Sequence, residues 1–353
     1  MKILQVINSL KIGGAEKLIA DMVPLLRDRG HQVDVCLFDG IATDFKNRLL
    51  NKGIHIIDLG YNCNVYNPLF AFKLARVMKG YDVIHTHNTA PQLFATLGSY
   101  FSKSKLITTE HSTSTRRRNY RLFKYIDKWM YSRYDQIICI SEPSEASLRS
   151  YIGDKYPIVT IKNGINTKTF LDAEPIDLEL GDCIIITMVA GFRYEKDQPT
   201  VIKALKYLPL NYHLVLVGDG VERINIEAVI AEEGMTERVH FLGIRDDVPN
   251  ILKASDVIVM SSHREGLSLS NVEGMCSGRP FVASDVEGLR EVTENYGLLF
   301  PHGDSKALAK IIQKLCTEPA YATEVSIRCK ERALQYDIKK MVDEYNNIYL
   351  RFS

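Results

Sequence analysis

The sequence predicts an α/β protein built from two doubly wound, Rossmann-like domains that face each other across a cleft. Short apolar runs alternate with amphipathic helical stretches, which is typical of parallel sheets covered by helices on both faces. The alternation stops near the middle of the chain and then begins again. Because a domain typically holds about 150 residues, a length of 353 residues also favours two domains.

The first predicted domain covers residues 1–165. Its strands are predicted from six apolar runs, at 3–7, 32–38, 54–59, 83–86, 106–109 and 136–140. Amphipathic stretches at 15–29 and 120–133 predict helices between them. Polar residues, Gln5 among them, interrupt the apolar run at the start of the chain, so we interpret it as a strand rather than a signal peptide.

The second predicted domain covers residues 166–335. Six further apolar runs predict its strands, at 183–189, 213–217, 239–242, 257–260, 280–283 and 298–300. Helices are predicted at 198–207, 222–233, 248–253 and 267–277. The polar, proline-containing segment 163–182 has no predicted element and is interpreted as the linker.

Charge and cysteine usage limit the class of protein. Residues 1–165 carry 23 Lys and Arg against 14 Asp and Glu, a net charge of +9, and the remainder carries −8. This asymmetry indicates either an anionic partner for the first half or two differently solvated surfaces. The seven cysteines include no CxxC pair, which favours a reduced, cytoplasmic protein without disulfides or a zinc site. No apolar run reaches the roughly 18 residues of a membrane span.

Ligands of doubly wound sheets bind beyond the carboxyl ends of the strands, so the loops there are the candidate sites. In the first domain Gly13 and Gly14 precede a helix. Their backbone N–H groups either approach an anion there or belong to a simple tight turn. His85 and His87 lie on one side of a strand, and a metal site would need further ligands. His111 follows the next strand.

The segment 116–134, which begins with Arg116, interleaves basic and aromatic residues. It fits a peripheral contact with an anionic membrane surface, and a solvated helix face is the simpler interpretation. No motif supports nucleic acid as a partner.

The second domain contains the strongest motifs. Arg193 and Lys196 follow Gly191 at a helix start, where they form either a diphosphate clamp or an ordinary solvated helix start. Glu265 and Glu273 flank a Gly-Leu-Ser turn that opens another helix. Such a helix tip can hold a phosphate, while the carboxylates accept hydrogen bonds from sugar hydroxyls.

Together these strings resemble the retaining glycosyltransferases of family four, which have the GT-B fold. The most specific match is Glu-x7-Glu, present as Glu265 and Glu273. The supporting strings are Gly13-Gly14-Ala15-Glu16, His111, Asn163-Gly164-Ile165, Gly191-x-Arg193-x-x-Lys196, Val217-Gly218-Asp219-Gly220 and Phe241-Leu242-Gly243. The resemblance covers nearly the whole chain. It further implies that the last helix, residues 336–353, returns to the first domain.

The resemblance implies a role for each site residue. Arg193 and Lys196 would neutralise the diphosphate of a nucleotide sugar, Glu273 would bind the ribose, and Glu265 would hold the transferred sugar. The remaining donor contacts would come from Gly13, Gly14, Gly243, Ile244, Gly266, Leu267, Ser268 and Leu269. His111 would lie near the reacting sugar, and His87 and Arg116 would lie on the acceptor side.

The implied reaction moves a hexose or N-acetylhexosamine, most simply from a UDP-sugar, to a glycan or lipid-linked acceptor in capsule, lipopolysaccharide or exopolysaccharide biosynthesis. Retention fits a same-face mechanism in which the leaving phosphate takes the proton of the acceptor. Neither a metal nor another cofactor is expected, because the chain has no Asp-x-Asp string and Arg with Lys can stabilise the leaving group. Two alternatives stay open, namely a sugar-nucleotide epimerase of the same fold and a non-catalytic two-domain sugar-binding protein. We expect a cytoplasmic protein, at the inner face of the membrane if the 116–134 contact exists.

Overall fold

The computed structural model describes residues 1–11, 13–112, 118, 120–266 and 268–352. The chain divides into two compact units. Unit 1 consists of Met1–Gly164 together with Ile338–Ser353, and unit 2 consists of Ile165–Asp337.

Unit 1 contains a sheet of seven strands, all of whose pairings are parallel. They are β1 (Lys2–Ile7), β2 (Gln32–Leu37), β3 (Ile56–Asp58), β4 (Val83–His87), β5 (Lys105–Glu110), β6 (Gln136–Cys139) and β7 (Ile158–Thr160). Their order across the sheet is β3-β2-β1-β4-β5-β6-β7. The strands are rich in buried Val, Ile and Leu because helices cover both faces of a parallel sheet.

The helices of unit 1 pack on that sheet in two hydrophobic clusters. They are α1 (Gly14–Asp28), α2 (Asp44–Asn51), α3 (Leu69–Met78), α4 (Thr89–Gly98), α5 (Arg121–Tyr131), α6 (Glu142–Ile152) and, as the last helix of the chain, α15 (Ile338–Leu350). The apolar face of α15 is buried among the residues of α1 and β1, so the C-terminal helix is part of this unit's core.

Unit 2 contains a parallel sheet of six strands. They are β8 (Ile184–Val189), β9 (Tyr212–Val217), β10 (Val239–Gly243), β11 (Val257–Met260), β12 (Phe281–Ser284) and β13 (Leu298–Phe300), in the spatial order β10-β9-β8-β11-β12-β13. The helices are α7 (Thr167–Leu171), α8 (Gln198–Ala204), α9 (Arg223–Glu232), α10 (Val248–Ala254), α11 (Leu269–Cys276), α12 (Arg290–Thr293), α13 (Ser305–Thr317) and α14 (Pro319–Ala333).

The two doubly wound, Rossmann-like domains predicted from the sequence are confirmed, and every predicted strand has a counterpart. Among the elements that the sequence did not predict are two short ones. The edge strand β7 has only three residues, too few to show a hydrophobic period. The segment predicted to be a featureless linker contains α7, whose Phe170 is buried in the core of unit 2. Tertiary packing rather than local propensity therefore holds this short helix.

In each sheet the strand order reverses at one point. The reversal lies between β1 and β4 in unit 1 and between β8 and β11 in unit 2. Loops that leave the strands on either side of such a point diverge to opposite faces of the sheet and open a crevice at its carboxyl edge. The two reversals therefore mark the loops of greatest interest.

Two further observations concern cysteines and membrane spans. All seven cysteines are free thiols. Among the described residues, no helix combines the length and the apolar character that crossing a bilayer requires.

Candidate functional site

The crevice of unit 2 is bounded by the loop after β8 and the loop after β11. Lys196 comes from the first loop and Glu265 from the second, and their side chains form an ion pair. Ser262 donates a second hydrogen bond to the same carboxylate oxygen, Oε1, over 2.7 Å. Only 20% of the Lys196 side chain and 12% of the Glu265 side chain is exposed. An ion pair with so little solvent contact has both groups held in place, whereas a surface pair of long side chains stays mobile.

Glycines without room for a side chain fix the backbone of these loops. A Cβ on Gly288, which has a φ of +83°, would stand 2.1 Å from the carbonyl oxygen of Gly266. A Cβ on Gly218 would stand 2.1 Å from the oxygen of Ala190, so the loop after β9 packs directly on the loop after β8. These close approaches hold the Lys196 and Glu265 loops in one conformation.

The helix α11 begins at the end of the Glu265 loop. Ser268 is its N-cap residue, Leu269 is its first residue, and the peptide N–H groups of such a first turn have no partners within the helix. Glu273 is buried, two positions C-terminal to Asn271, which bonds to Thr293. The structure thus brings Lys196, Glu265 and the tip of α11 to one edge of the sheet. Leu267, also predicted to touch the donor, lies outside the described residues.

The other predicted donor residues lie on the same carboxyl edge. Arg193 is exposed beside Gly191, where it precedes the short 3-10 turn that carries Lys196. Gly243 ends β10 with a φ of +67°, a conformation that favours glycine. Ile244, which follows it, exposes 59% of its surface. Gly218 donates its N–H to the carbonyl of Gly243 over 2.7 Å, which joins this loop to its neighbours.

One group of side chains in unit 2 has the composition of a metal site. Ligand atoms of Asp197, His263 and His302 lie within 4.8 Å of one another. Asp197 accepts hydrogen bonds from Thr200 over 2.9 Å and from Ser261 over 2.8 Å. His263 Nδ1 and His302 Nε2 share a hydrogen bond of 2.7 Å. These hydrogen bonds tie three loops together.

The crevice of unit 1 is bounded by the loops after β1 and β4. Gly13 is the N-cap of α1, and Gly14 is its first residue. A Cβ on Gly14 would meet no atom within 4 Å, so packing within the protein does not require glycine there. A glycine that faces open space at a helix start leaves the backbone accessible to a ligand.

His111 lies beyond β5 and is joined to a set of buried histidines. His111 Nε2 is 2.9 Å from His87 Nδ1, and His87 Nε2 is 2.8 Å from the side-chain oxygen of Gln5. Burial lowers the pKa of His111 to about 4 and that of His85 to about 3, and it lowers the pKa of His87 well below its ordinary value. All three imidazoles are therefore neutral at pH 7.

This burial corrects one prediction. His87 has no exposed surface, and both of its ring nitrogens are engaged, so it does not reach an acceptor. Two other polar groups at this crevice are the side-chain oxygens of Asn8 and Asn88. Both follow the strands that flank the crevice, and both are buried without a hydrogen-bond donor among the described residues. Sequence reasoning missed them, although each is the polar residue that directly follows a buried strand.

The basic-aromatic segment also differs from its prediction. Arg116 lies outside the described residues. Arg118 turns inward to pair with Glu110 over 3.1 Å, and only 8% and 7% of the two side chains are exposed. Burying an ion pair this deeply requires further hydrogen bonds, and Tyr131 donates one to Glu110 over 2.7 Å. Among the side chains of α5 that the structure describes, the exposed ones are apolar or aromatic, namely Leu122, Phe123, Tyr125, Ile126 and Trp129.

Comparison with protein families identifies the family of this chain. Residues 12–169 match Glycosyltransferase Family 4, and residues 173–336 match Glycosyl transferases group 1. The two matches cover both units and contain the Gly14, His111, Lys196 and Glu265 loops. The chain is a family-four glycosyltransferase.

Known proteins similar to this glycosyltransferase come mainly from bacteria. It is 27% identical over 76% of its length to the putative glycosyltransferase EpsD of Bacillus subtilis, and it covers 76% of that protein. It is 26% identical over 96% of its length to the UDP-Gal:alpha-D-GlcNAc-diphosphoundecaprenol alpha-1,3-galactosyltransferase of Escherichia coli, covering 94% of it.

Solved structures support the GT-B fold of the glycosyltransferase. The crystal structure of Anabaena Alr3699/HepE in complex with UDP-glucose superposes with a TM-score of 0.86 at 23% identity, over 99% of this chain and all of the other. WaaG, a glycosyltransferase involved in lipopolysaccharide biosynthesis, has a TM-score of 0.74 at 16% identity, over 98% and 99% of the two chains.

Proposed function

We propose that this glycosyltransferase moves a hexose or N-acetylhexosamine from a UDP-sugar, with retention of configuration, to a lipid-linked or glycan acceptor in bacterial surface polysaccharide biosynthesis. The observation that carries the proposal is the ion pair of Lys196 with Glu265 at the strand-order reversal of unit 2, next to the tip of α11. A cation, a carboxylate that accepts hydrogen bonds and the N–H groups of a helix start thus lie near one another. A sugar diphosphate offers the complementary charges and hydroxyls.

Each residue of unit 2 has a proposed contact with the donor. Lys196 and the exposed Arg193 would neutralise the diphosphate, and the N–H groups of Ser268 and Leu269 would bind phosphate oxygens. Glu265 would accept a hydrogen bond from a hydroxyl of the transferred sugar, since a carboxylate only accepts hydrogen bonds. The base would lie against the backbone of residues 243–245, and Glu273 would bind the ribose hydroxyls.

The proposed chemistry needs no protein nucleophile. As the bond between sugar and phosphate breaks, negative charge grows on the leaving UDP, and Arg193 and Lys196 stabilise it. The acceptor attacks from the same face, and the leaving phosphate oxygen receives its proton. We propose that these cations serve in place of a metal ion. In unit 1, Gly14 would approach the phosphates and His111 would contact the sugar.

The chemistry of relatives supports a UDP-sugar and a lipid-linked acceptor. The Escherichia coli relative is named for a UDP-galactose donor and a diphosphoundecaprenol acceptor. A Campylobacter jejuni relative, 25% identical over 94% of this chain, is named for a similar diphospho-undecaprenol acceptor. An acceptor of this kind lies in a bilayer, which gives the apolar face of α5 a membrane surface as its proposed partner.

Thermal stabilisation by a panel of nucleoside diphosphates and their sugars tests the donor, because a ligand that binds only the folded protein raises its unfolding temperature. We expect UDP and one UDP-sugar to stabilise the protein most. Product formed from a UDP-sugar without any acceptor would favour the epimerase instead. Failure of every nucleotide to bind would reject the proposal.

Replacement of Glu273 by alanine tests the ribose contact. Because hydrogen bonds to a charged group contribute about 1.5–3 kcal/mol, we expect UDP affinity to fall by about ten- to hundredfold. Isothermal calorimetry measures it. The exposed Glu232 on the same unit supplies the matched control, and Glu232→Ala should bind as wild type does. Equal affinity of both variants would contradict the assignment.

A further inference from the structure

Three loops at the carboxyl edge of the unit 2 sheet bring one carboxylate and two imidazoles together. Asp197 follows β8, His263 follows β11 and His302 follows β13, and the ligand atoms of these three residues lie within 4.8 Å of one another. His263 Nδ1 and His302 Nε2 face each other over 2.7 Å, and His263 Nε2 lies 3.9 Å from Asp197 Oδ1. The imidazole of His263 therefore lies between the other two groups.

The carboxylate of Asp197 is buried without a matching positive charge. Only 4% of the residue is exposed. Its two oxygens accept hydrogen bonds from Thr200 and Ser261, whose hydroxyls are neutral. Among the described residues no lysine or arginine pairs with Asp197, since the neighbouring Lys196 pairs with Glu265. Burial of a carboxylate is costly unless a cation compensates its charge, and a metal ion is one such cation.

The group also has the surrounding contacts that orient metal ligands. Hydrogen bonds from neighbouring groups usually hold a ligating carboxylate in place, as the two hydroxyls do here. Each carboxylate oxygen has two acceptor positions, so each oxygen of Asp197 can still bind an ion beside its hydrogen bond. The ring of Tyr194 packs against His263 with 4.7 Å between the ring centroids. His302 is exposed, so an ion can enter from solvent.

We propose that Asp197, His263 and His302 form a binding site for a divalent transition-metal ion, for which Zn²⁺ is the best match. Imidazole nitrogens with a carboxylate oxygen suit zinc, whereas Mg²⁺ and Ca²⁺ prefer oxygen ligands. Tetrahedral zinc with ligands at about 2.0–2.1 Å holds their atoms about 3.3 Å apart. The two facing imidazole nitrogens would separate from 2.7 Å toward that distance. The ion takes the place of the proton between them, which moves to the other nitrogen of its ring.

The ion would join the two loops that bound the donor crevice to a third loop. Asp197 directly follows Lys196, and His263 lies two residues before Glu265. Coordination would therefore stabilise the folded form of both loops that carry the Lys196–Glu265 ion pair. The ion has a structural role and takes no part in the proposed reaction, so this inference does not rest on the proposed function. The sequence predicted no metal site, because the three ligands come from separate loops and share no motif.

Metal binding to the full-length protein, free of any polyhistidine tag and treated with a chelator, tests the site. We expect isothermal calorimetry to show one Zn²⁺ bound per chain. We expect the unfolding temperature to rise with Zn²⁺ and not with Mg²⁺, because an ion that binds the folded protein stabilises it. Co²⁺ should give the visible absorption bands of a four- or five-coordinate site. Failure of Zn²⁺ to bind the wild type would overturn the proposal.

Two variants distinguish this site from other histidines. His302→Ala removes an exposed ligand, and Asp197→Asn keeps the shape of the side chain while it removes the charge. Each should weaken Zn²⁺ binding by about a hundredfold or more, since loss of a group behind a ligand already costs about 10- to 100-fold. Equal affinity of these variants and the wild type would overturn the proposal.

The matched control is His240→Gln. His240 and His213 also share a hydrogen bond, over 2.8 Å, but among the described residues no third ligand joins them. This variant should bind Zn²⁺ as the wild type does. Loss of Zn²⁺ binding in His240→Gln would place the ion at the wrong pair of histidines and would overturn the assignment.

Discussion

Lys196 shows how a single residue depends on partners far away in the sequence. Its motif predicted a cation at a helix start, but nothing in the motif indicated Glu265 as its ion-pair partner or Ser262 as a second donor. The two sides of the pair lie 69 residues apart and meet only because β8 and β11 are neighbours in the sheet. The sequence could therefore predict the functional groups but not their pairing.

At the residue scale we predict that Lys196→Ala lowers kcat strongly. The variant loses a cation for the leaving phosphate and leaves the partly buried Glu265 without its counter-charge. Removing one such donor typically costs about 10² to 10³ in kcat. Steady-state kinetics with the UDP-sugar measures the loss.

The control for this prediction is Lys203, an exposed lysine on α8 of the same unit. Lys203→Ala should retain wild-type kcat. A Lys196→Ala enzyme that matched it would show that the diphosphate clamp is assigned to the wrong residue.

At the scale of an element, α5 illustrates a surface that periodicity alone misjudges. Its sequence predicted a basic and aromatic membrane contact, and the structure turns Arg118 inward while it directs an apolar stripe to solvent. Leu122, Tyr125 and Trp129 of that stripe are exposed by 70%, 75% and 36%. Helical spacing identifies a stripe, but which way the stripe faces depends on what the opposite face packs against, here the core around Met130.

We predict that Leu122→Ser combined with Tyr125→Ser weakens binding to anionic liposomes. Both changes remove apolar surface that would enter the interface of the bilayer, and neither residue is in the core. Co-sedimentation with the liposomes measures the bound fraction. The pair Leu210→Ser and Ile327→Ser, which alters exposed apolar residues of unit 2, should bind as wild type does. Equal sedimentation of both double variants would argue against a membrane surface at α5.

At the scale of the whole molecule, the C-terminal helix joins the two ends of the chain in one core. Tyr349 contacts Gln5 across 344 residues, and α15 packs against α1. The stability of unit 1 thus depends on a neutral polar network in its centre. His85, His87 and His111 must all stay unprotonated for the network to persist.

This dependence predicts loss of stability in acid. The folded pKa values are lowered, to about 3 for His85 and about 4 for His111, whereas an unfolded histidine titrates near 6.5. Below that pH the unfolded chain binds protons that the folded unit excludes. The contribution of these histidines to the free energy of unfolding is therefore fully present above about pH 6.5. It falls as the pH drops toward 4, by up to about 1.4 kcal/mol per pH unit for each histidine.

Trp129, the only tryptophan, lies in unit 1 and reports its unfolding by fluorescence. Urea titrations at pH 7, 6 and 5 should show a steep decline of the unfolding free energy. The unfolding free energy of His302→Gln, which changes an exposed residue of unit 2, should decline by the same amount. A free energy independent of pH over this range would contradict the neutral network.

The sequence by itself determined the two doubly wound domains, the loops that carry the proposed donor residues and the family, because hydrophobic period and ordered motifs are local properties of the chain. The expected limits at 165 and 335 lie close to the observed bounds of the units. Only the tertiary structure decided the partners of Lys196, the burial of His87, the inward turn of Arg118 and the hydrogen bond that connects Gln5 to Tyr349. Each of these joins segments distant in sequence, and such contacts depend on strand order and packing, which no local pattern encodes.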